Sequence, residues 1–287
     1  MNGATERAPV VSAVELVERM RAGDVLAVDC RFDLADPAAA VRAYADAHVP
    51  GAVYADLDHD LADLSKTGEG RHPVPDAAGF SATLSRWGWR SGMTLVAYDA
   101  AGGALAAARL WWLMRIAGHE GFVLDGGLPA WRDAGLPLES AAPTPTALPV
   151  EIVFDRSQTV GFAELERRRA DGSVLLLDAR ARDRYLGRIE PIDAVAGHVP
   201  GARNRPFSDN LQADGRFKTP GQLQAEFAEL LAGRNANEVV HMCGSGVTAC
   251  HNLLAMEHAG LSGSRVFAPS WSGWIDDSRR PVASGEE

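Results

Sequence analysis

The stretch HMCGSGVTAC places a cysteine directly before an uncharged, glycine-rich loop. Residues 238–242 are typical of a short apolar strand, and residues 247–260 carry apolar side chains at helical spacing. Cys243 is therefore predicted where a strand passes to the N-terminus of a helix. Gly244 and Gly246 allow the backbone to turn its N–H groups inward, as an anion-binding nest requires. This pattern favours a reactive thiolate at Cys243.

Several donors are expected to share the stabilisation of such a thiolate. A helix N-terminus usually contributes only about 0.3–1 kcal/mol to the binding of an anion. The loop adds its backbone N–H groups, and Ser245 and Thr248 add hydroxyl donors. The residues expected to bind the substrate here are Gly244, Gly246, Val247 and Thr248.

Three other chemistries use a cysteine in a comparable setting. A cysteine phosphatase needs an arginine six residues after the cysteine, and Ala249 occupies that position. A cysteine protease needs a histidine base; no protease-like motif is present, although a partner distant in sequence is left open. A metal site from His241, Cys243, Cys250 and His251 would have a spacing that is not typical of zinc. Phosphoryl transfer and metal binding are therefore disfavoured.

The composition limits the classes of partner and the compartment. The 287 residues carry a net charge of −10, which argues against nucleic acid or an anionic membrane as the main partner. No apolar stretch is long enough to span a bilayer, and the first residues do not resemble an export signal. Three cysteines without scaffold-like spacing indicate free thiols in a reducing cytoplasm, with Cys30 and Cys250 as buried core residues. An anionic substrate would need a local positive site.

The chain contains two related halves. The pentapeptide HVPGA occurs at residues 48–52 and again at 198–202. Apolar strands on either side of each copy match in the same order, with an offset that drifts slowly, as loop insertions in a duplicated domain produce. In this alignment Asp99 of the first half occupies the position of Cys243. The sequence therefore predicts a duplicated domain whose first copy lacks the thiol.

A proline-rich segment divides the two halves. Residues 138–150 are predicted to be an extended linker between domains at 1–137 and 151–287. In each half, short apolar strands alternate with helical stretches such as 103–117 and 220–232. That alternation predicts an α/β fold, in which helices flank both faces of a mainly parallel central sheet. Ligands bind at the carboxyl ends of the strands in such sheets.

Four motifs resemble the tandem rhodanese-domain sulfurtransferases, namely the loop CGSGVTA, the paired HVPGA segments, the strand end LLLDAR and SWSGW near the C-terminus. The resemblance covers nearly the whole chain. It implies two rhodanese-like domains, of which the N-terminal one is catalytically inactive, and a persulfide formed on Cys243. Thiosulfate-using members carry basic residues after the cysteine, so the uncharged loop is closer to the 3-mercaptopyruvate sulfurtransferase subgroup.

The resemblance implies a sulfurtransferase that needs no cofactor or metal and takes a small sulfur donor. 3-Mercaptopyruvate is the expected donor, with thiosulfate as the alternative, and cyanide or a thiol such as thioredoxin is the expected acceptor. The alternative from a different class is a non-catalytic tandem module that uses the loop for binding or redox sensing. The intact cysteine and loop argue against that class.

The resemblance also implies which residues bind the donor's carboxylate. Arg184 matches one of the family's two substrate-binding arginines. Ile192 stands where the second is expected, so Arg188 or another cation would have to replace it. An ordinary solvated helix face is the favoured interpretation of Arg182.

The remaining expected site residues come from the N-terminal half. Asp58 and His72 match the acid and the histidine that help to protonate the leaving group in the family. With Ser245 they would form a proton-handling set beside Cys243. The site would then lie at the interface between the two domains, which would explain why an inactive domain is retained.

Overall fold

The computed structural model describes residues 8–286. Residues 1–7 and 287 lie outside the described residues. They include the first residues of the predicted domain 1–137, the last residue of the predicted domain 151–287, and most of the N-terminal segment that was compared with export signals. The described chain folds into two α/β units, each built on its own sheet. The predicted α/β class with parallel sheets is confirmed.

The first unit has a five-stranded sheet in the order β1-β5-β4-β2-β3, with every neighbouring pair parallel. Its strands are β1 (Val10–Val11), β2 (Val25–Asp29), β3 (Val53–Tyr54), β4 (Thr94–Tyr98) and β5 (Gly121–Leu124). Its helices are α1 (Ala13–Ala22), α2 (Pro37–Asp46), α3 (Leu57–Asp60), α4 (Ala77–Arg86), α5 (Ala107–Ile116) and α6 (Gly127–Asp133).

The second unit has a four-stranded parallel sheet in the order β7-β6-β8-β9. Its strands are β6 (Leu175–Asp178), β7 (Arg203–Asn204), β8 (Val239–Met242) and β9 (Arg265–Val266). Its α-helices are α7 (Phe162–Ala170), α8 (Arg182–Tyr185), α9 (Pro220–Leu231), α10 (Thr248–His258) and α11 (Ser270–Ile275). Short 3-10 helices occupy Arg156–Gln158, Phe207–Asn210 and Ala236–Glu238.

The apolar composition of the central strands explains why they lie in the interior of the two sheets. All four residues of β8 are buried, and β4 is buried from its second residue onward. Such nearly continuous apolar strands are characteristic of parallel sheets covered on both faces. Helix α9 begins at a capping box, in which Thr219 accepts from the N–H of Gln222 and Pro220 occupies the first turn.

The two units repeat an internal ion pair, as expected of a duplication. Arg31 binds both carboxylate oxygens of Asp29 just after β2, and Arg180 binds both oxygens of Asp178 just after β6. The shortest nitrogen–oxygen distances are 2.6 Å and 2.7 Å. All four side chains are buried. These matched pairs stabilise the strand ends that carry the HVPGA-containing connections.

The predicted helix over 103–117 begins four residues later than expected. The N–H groups of Gly103, Leu105 and Ala107 donate to the carboxylate of Asp99 at distances of 2.9–3.3 Å. These donors are therefore used by a side chain before regular helix bonding begins in α5. No helix within residues 8–286 is both long and apolar enough to cross a membrane.

Three buried histidines make the fold sensitive to acid. Burial lowers the pKa of His72 and His241 to about 3 and that of His251 to about 4. An unfolded histidine has a pKa of about 6.5, so below that pH the unfolded state binds more protons than the native state. The histidine contribution is fully present above about pH 6.5 and is lost as the pH falls through the folded-state pKa values, about 4 for His251 and about 3 for His72 and His241.

We expect the free energy of unfolding to fall steeply between pH 6.5 and 4. Each neutral buried histidine contributes a slope of about 1.4 kcal/mol per pH unit. Urea unfolding at a series of pH values measures this slope. His241→Gln should reduce the slope by about 1.4 kcal/mol per pH unit, the contribution of one histidine. His59→Gln is the control because His59 is exposed. Equal slopes for wild type and His241→Gln would contradict the prediction.

Candidate active site

A cavity of about 270 Å³ lies between the two units, at the carboxyl end of β8. Arg71 and His72 of the first unit contribute to its wall, opposite the loop of Cys243 and residues of the second unit. Its apolar lining is formed by Phe32, Leu34, Leu57, Ala104, Leu105, Ile192, Phe207 and Val247. The cavity therefore combines one thiol, several cations and an apolar wall.

Cys243 follows β8 and is 2 % exposed. The N–H of Gly246 donates to its Sγ at 3.1 Å, and the Cys243 N–H donates to Ser270 Oγ at 3.1 Å. Gly246 has a φ of +81°, and a Cβ there would lie 2.3 Å from the carbonyl oxygen of Ala268. Glycine is thus required for the turn that directs an N–H group at the sulfur.

The segment SWSGW, residues 270–274, binds the backbone of the cysteine loop. The N–H of Trp271 donates to the carbonyl of Cys243, and the N–H of Ser272 donates to the carbonyl of Gly244, both at 2.9 Å. Helix α10 begins at Thr248, so the loop is fixed on both sides by regular structure. Gly244, Val247 and Thr248 all line the cavity.

Asp58, His72 and Ser245 lie in one chain of polar contacts, which we call the relay. His72 Nδ1 lies 2.8 Å from Ser245 Oγ, and His72 Nε2 lies 3.3 Å from Asp58 Oδ1. Burial, reinforced by Arg109 and Arg71, lowers the pKa of His72 to about 3, so its imidazole is neutral at physiological pH. An ionised Asp58 places the proton on Nε2 and leaves Nδ1 to accept from the Ser245 hydroxyl. This arrangement can move a proton next to the thiol.

The cations do not all lie where the sequence suggested. Arg184 lines the cavity, and its Nη2 binds Glu190 at 2.7 Å and Asp193 at 2.9 Å. The structure does not bring Arg188 to the cavity. The Arg188 side chain is 64 % exposed and pairs with Asp183 at 3.2 Å. An exposed arginine on the outer side of the turn after α8 is already satisfied by solvent and that carboxylate.

Arg71 is a cavity residue that sequence reasoning missed. Its Nη1 binds Asp193 at 2.6 Å, so it shares this carboxylate with Arg184. Its Nη2 lies 3.3 Å from the point that a Cβ on Gly244 would occupy, and Arg184 Nη1 lies 3.6 Å from the same point. The one signal in the sequence was its position directly before His72. Its relation to the loop depends on how the two units pack.

Asp99 occupies the place in the first unit that Cys243 occupies in the second. It follows the central strand β4 and is fully buried. Its two oxygens accept from the N–H groups of Ala101, Gly103, Leu105 and Ala107. In the first unit, the N–H groups that could bind an anion thus bind a carboxylate of the protein itself, and this position lacks a nucleophilic thiol.

The histidines considered for a metal site have other partners. His241 Nε2 pairs with Ser264 Oγ, and His251 pairs through Nδ1 with Asn210 and through Nε2 with the carbonyl of Gly102. Within the part of the chain that the structure describes, no group of three or more histidine, cysteine or acidic side chains is arranged to hold a metal ion.

Comparisons with known proteins agree with this architecture. The rhodanese-like domain matches twice, at residues 12–134 and 162–277. A protein of Pseudomonas aeruginosa described as "Probable 3-mercaptopyruvate sulfurtransferase" is 46% identical over 97% of this chain and 99% of its own. The thiosulfate sulfurtransferase of Bos taurus is 31% identical over 93% of this chain and 91% of its own.

A solved structure gives the same result in three dimensions. The 3-mercaptopyruvate sulfurtransferase from Leishmania major matches 98% of this chain and 78% of its own, with a TM-score of 0.85 and 28% identity. The duplication and the resemblance derived from the sequence are both confirmed. This chain therefore belongs to the rhodanese family, as a member with two tandem domains and the sulfurtransferase architecture.

Proposed function

We propose that this chain transfers a sulfane sulfur from 3-mercaptopyruvate to a thiol or to cyanide, through a persulfide on Cys243. The observation that carries the proposal is the relay of Asp58, His72 and Ser245 next to that thiol. A donor whose leaving group must be protonated on carbon needs such a relay. A donor that releases a stable anion does not.

The proposed step conserves atoms, charge and protons. The Cys243 thiolate attacks the sulfur of the donor, a sulfur–sulfur bond forms, and the carbon–sulfur bond breaks. The electron pair of that bond passes to carbon and gives the enolate of pyruvate. The thiol proton of the donor passes through Ser245 and His72 and ends on that carbon. The products are the Cys243 persulfide anion and pyruvate.

Two unused guanidinium nitrogens support a carboxylate subsite. Arg71 Nη2 and Arg184 Nη1 both approach Gly244, and within residues 8–286 neither nitrogen has a hydrogen-bond partner. Arginine donors in this arrangement suit a carboxylate. Arg71 then supplies, from the other domain, the second cation that Ile192 cannot provide. These two arginines would give an anionic donor a local positive site on a chain whose net charge is −10.

We expect Arg184→Ala and Arg71→Ala each to raise the KM for 3-mercaptopyruvate by about 10- to 150-fold, the value of one lost charge-assisted hydrogen bond. The change in kcat should be smaller because the carboxylate is remote from the breaking bond. Arg188→Ala is the matched control and should leave the KM unchanged. A KM that responds to Arg188→Ala but not to Arg71→Ala would contradict this subsite.

The donor is tested by kcat/KM for 3-mercaptopyruvate and thiosulfate on the same preparation. The proposal expects 3-mercaptopyruvate to be preferred, since the loop of Gly244 and Ser245 lacks a basic side chain for a thiosulfate dianion. A preference for thiosulfate would assign the chain to the other donor class. No transfer from either donor would favour a non-catalytic binding or redox-sensing module.

The state of the thiols supports the proposed class of acceptor and the proposed compartment. All three cysteines are free, which fits a reducing cytoplasm. A thiol acceptor such as thioredoxin would remove the outer sulfur of the persulfide by the same kind of exchange. Single-turnover transfer from persulfidated protein to reduced thioredoxin, compared with cyanide, tests this acceptor.

A further inference from the structure

Arg109 is a fully buried arginine in α5, on the domain that lacks the thiol. Its Nη1 donates to the carbonyl of Gly246 at 3.1 Å, across the domain interface, and its Nη2 donates to the carbonyl of His72 at 3.2 Å. Its guanidinium also lies 4.9 Å from the ring centre of Trp112. Arg109 thus contacts both the cysteine loop and the histidine of the relay.

The charge of Arg109 lacks a carboxylate partner. None of the ion pairs among residues 8–286 includes it, and its buried Nε has no acceptor there. The buried arginines Arg31 and Arg180 are instead each paired with an aspartate. Burial of an unpaired guanidinium is strongly unfavourable, and carbonyl dipoles compensate for it only in part. An anion close by would therefore stabilise Arg109 in the working protein.

Two thiols contact Gly246, the residue whose carbonyl Arg109 binds. Cys250 donates from Sγ to the carbonyl of Gly246 at 3.3 Å, and burial raises its pKa to about 12, so it stays protonated. Cys243 is the thiol that faces the cavity and accepts from the Gly246 N–H. The anion that can balance Arg109 is therefore the sulfur at Cys243.

We propose that Arg109 is the fixed counter-charge of the sulfur anion at Cys243, supplied by the catalytically inactive domain. It acts as a positioning residue through Gly246, whose carbonyl it binds and whose N–H donates to the sulfur. The thiolate part of this proposal stands independently, and only its extension to the persulfide rests on the proposed function. It gives the inactive domain an electrostatic role besides its contribution to the relay.

The other charged groups around the thiol do not replace Arg109. His72 is neutral, and Asp58 lies beyond it. The remaining cations on the elements that surround the loop are all paired with carboxylates of the second unit, namely Arg71, Arg180 and Arg184 with Asp178, Glu190 and Asp193. Arg109 is thus the uncompensated positive charge at this site within the described residues.

The test is the rate at which iodoacetamide alkylates Cys243 as a function of pH, followed by the mass of its peptide. Arg109→Met removes the charge at similar length. It should shift the pH midpoint of alkylation upward, by about one to two units if the unit charge acts on the sulfur at an effective dielectric constant of about 20. Arg115→Met is the matched control on the same helix, since Arg115 also crosses the interface, to Glu257 at 2.8 Å.

Arg109→Lys separates charge from hydrogen bonding. The ammonium keeps the charge but cannot bind the same carbonyls, so the midpoint should stay close to that of wild type even if thermal stability falls. A midpoint that moves in Arg109→Lys as far as in Arg109→Met, or one that does not move in Arg109→Met, overturns the proposal. If Arg109→Met does not fold, Arg109→Gln replaces it as the variant without the charge; the same upward shift is expected, and an unmoved midpoint contradicts the proposal.

Alkylation needs no sulfur donor, so this experiment stands apart from the donor assays. A chain that fails to use 3-mercaptopyruvate but shows the Arg109→Met shift would refute the proposed donor and leave the counter-charge intact. A chain that uses 3-mercaptopyruvate but shows no shift in Arg109→Met would refute the counter-charge and leave the proposed donor intact.

Discussion

Cys243→Ser is expected to abolish sulfur transfer from either donor to cyanide. A serine hydroxyl cannot form a persulfide, and Cys243 is the thiol that lines the cavity among the three in the chain. Thiocyanate formation with 3-mercaptopyruvate and with thiosulfate measures this directly. Activity should fall to the background rate of the uncatalysed reaction.

The two other cysteines provide matched controls. Cys30 and Cys250 are both fully buried, and burial raises the pKa of each thiol, so neither is a nucleophile at neutral pH. Cys30→Ala and Cys250→Ala should keep most of the activity, with some loss of stability from the cavities created. An inactive Cys30→Ala protein that still folds would contradict the assignment of Cys243 as the essential thiol.

His72→Gln is expected to lower kcat with 3-mercaptopyruvate by about 10²- to 10⁴-fold, the usual contribution of a positioned proton-transfer group. The substitution removes the imidazole that contacts both Asp58 and Ser245, and glutamine is similar enough in size that we expect the cavity to keep its shape. Thiosulfate releases sulfite, which needs no proton on carbon, so its kcat should fall far less. Steady-state rates with both donors measure the difference.

His59→Gln is the control for this substitution. His59 lies in the same short helix as Asp58 but is exposed, so its replacement should leave both donor rates unchanged. An equal loss with 3-mercaptopyruvate and thiosulfate in His72→Gln would refute the relay and point to a purely structural role for His72.

The sequence was most informative where a local pattern determines structure. An apolar strand, two glycines and a helix start within ten residues predicted the position of Cys243, because each preference acts between neighbours. The repeated HVPGA segments predicted two domains because matched segments recur in the same order in both halves of the chain. Asp99 was also found by alignment of the two halves. The structure was needed to show that its carboxylate accepts hydrogen bonds from the N–H groups of the loop that follows it.

The residues that sequence reasoning missed lie in contacts between the domains. Arg71 and Arg109 belong to the first unit and reach the loop of the second, and such packing leaves no periodic signal in the sequence. Arg188 was suggested because it is near Arg184 in sequence. A turn after α8 sends the two side chains to different surroundings, so closeness along the chain did not bring them to one site.

The central claim is that Cys243 carries the transferred sulfur. Its most direct test is mass spectrometry of the protein after treatment with 3-mercaptopyruvate and removal of excess donor. The peptide that contains Cys243 should gain about 32 Da, one sulfur atom bound to the former nucleophile, and should lose it on addition of cyanide. A sulfur found on the Cys30 or Cys250 peptide, or no added mass while pyruvate is released, would contradict the account.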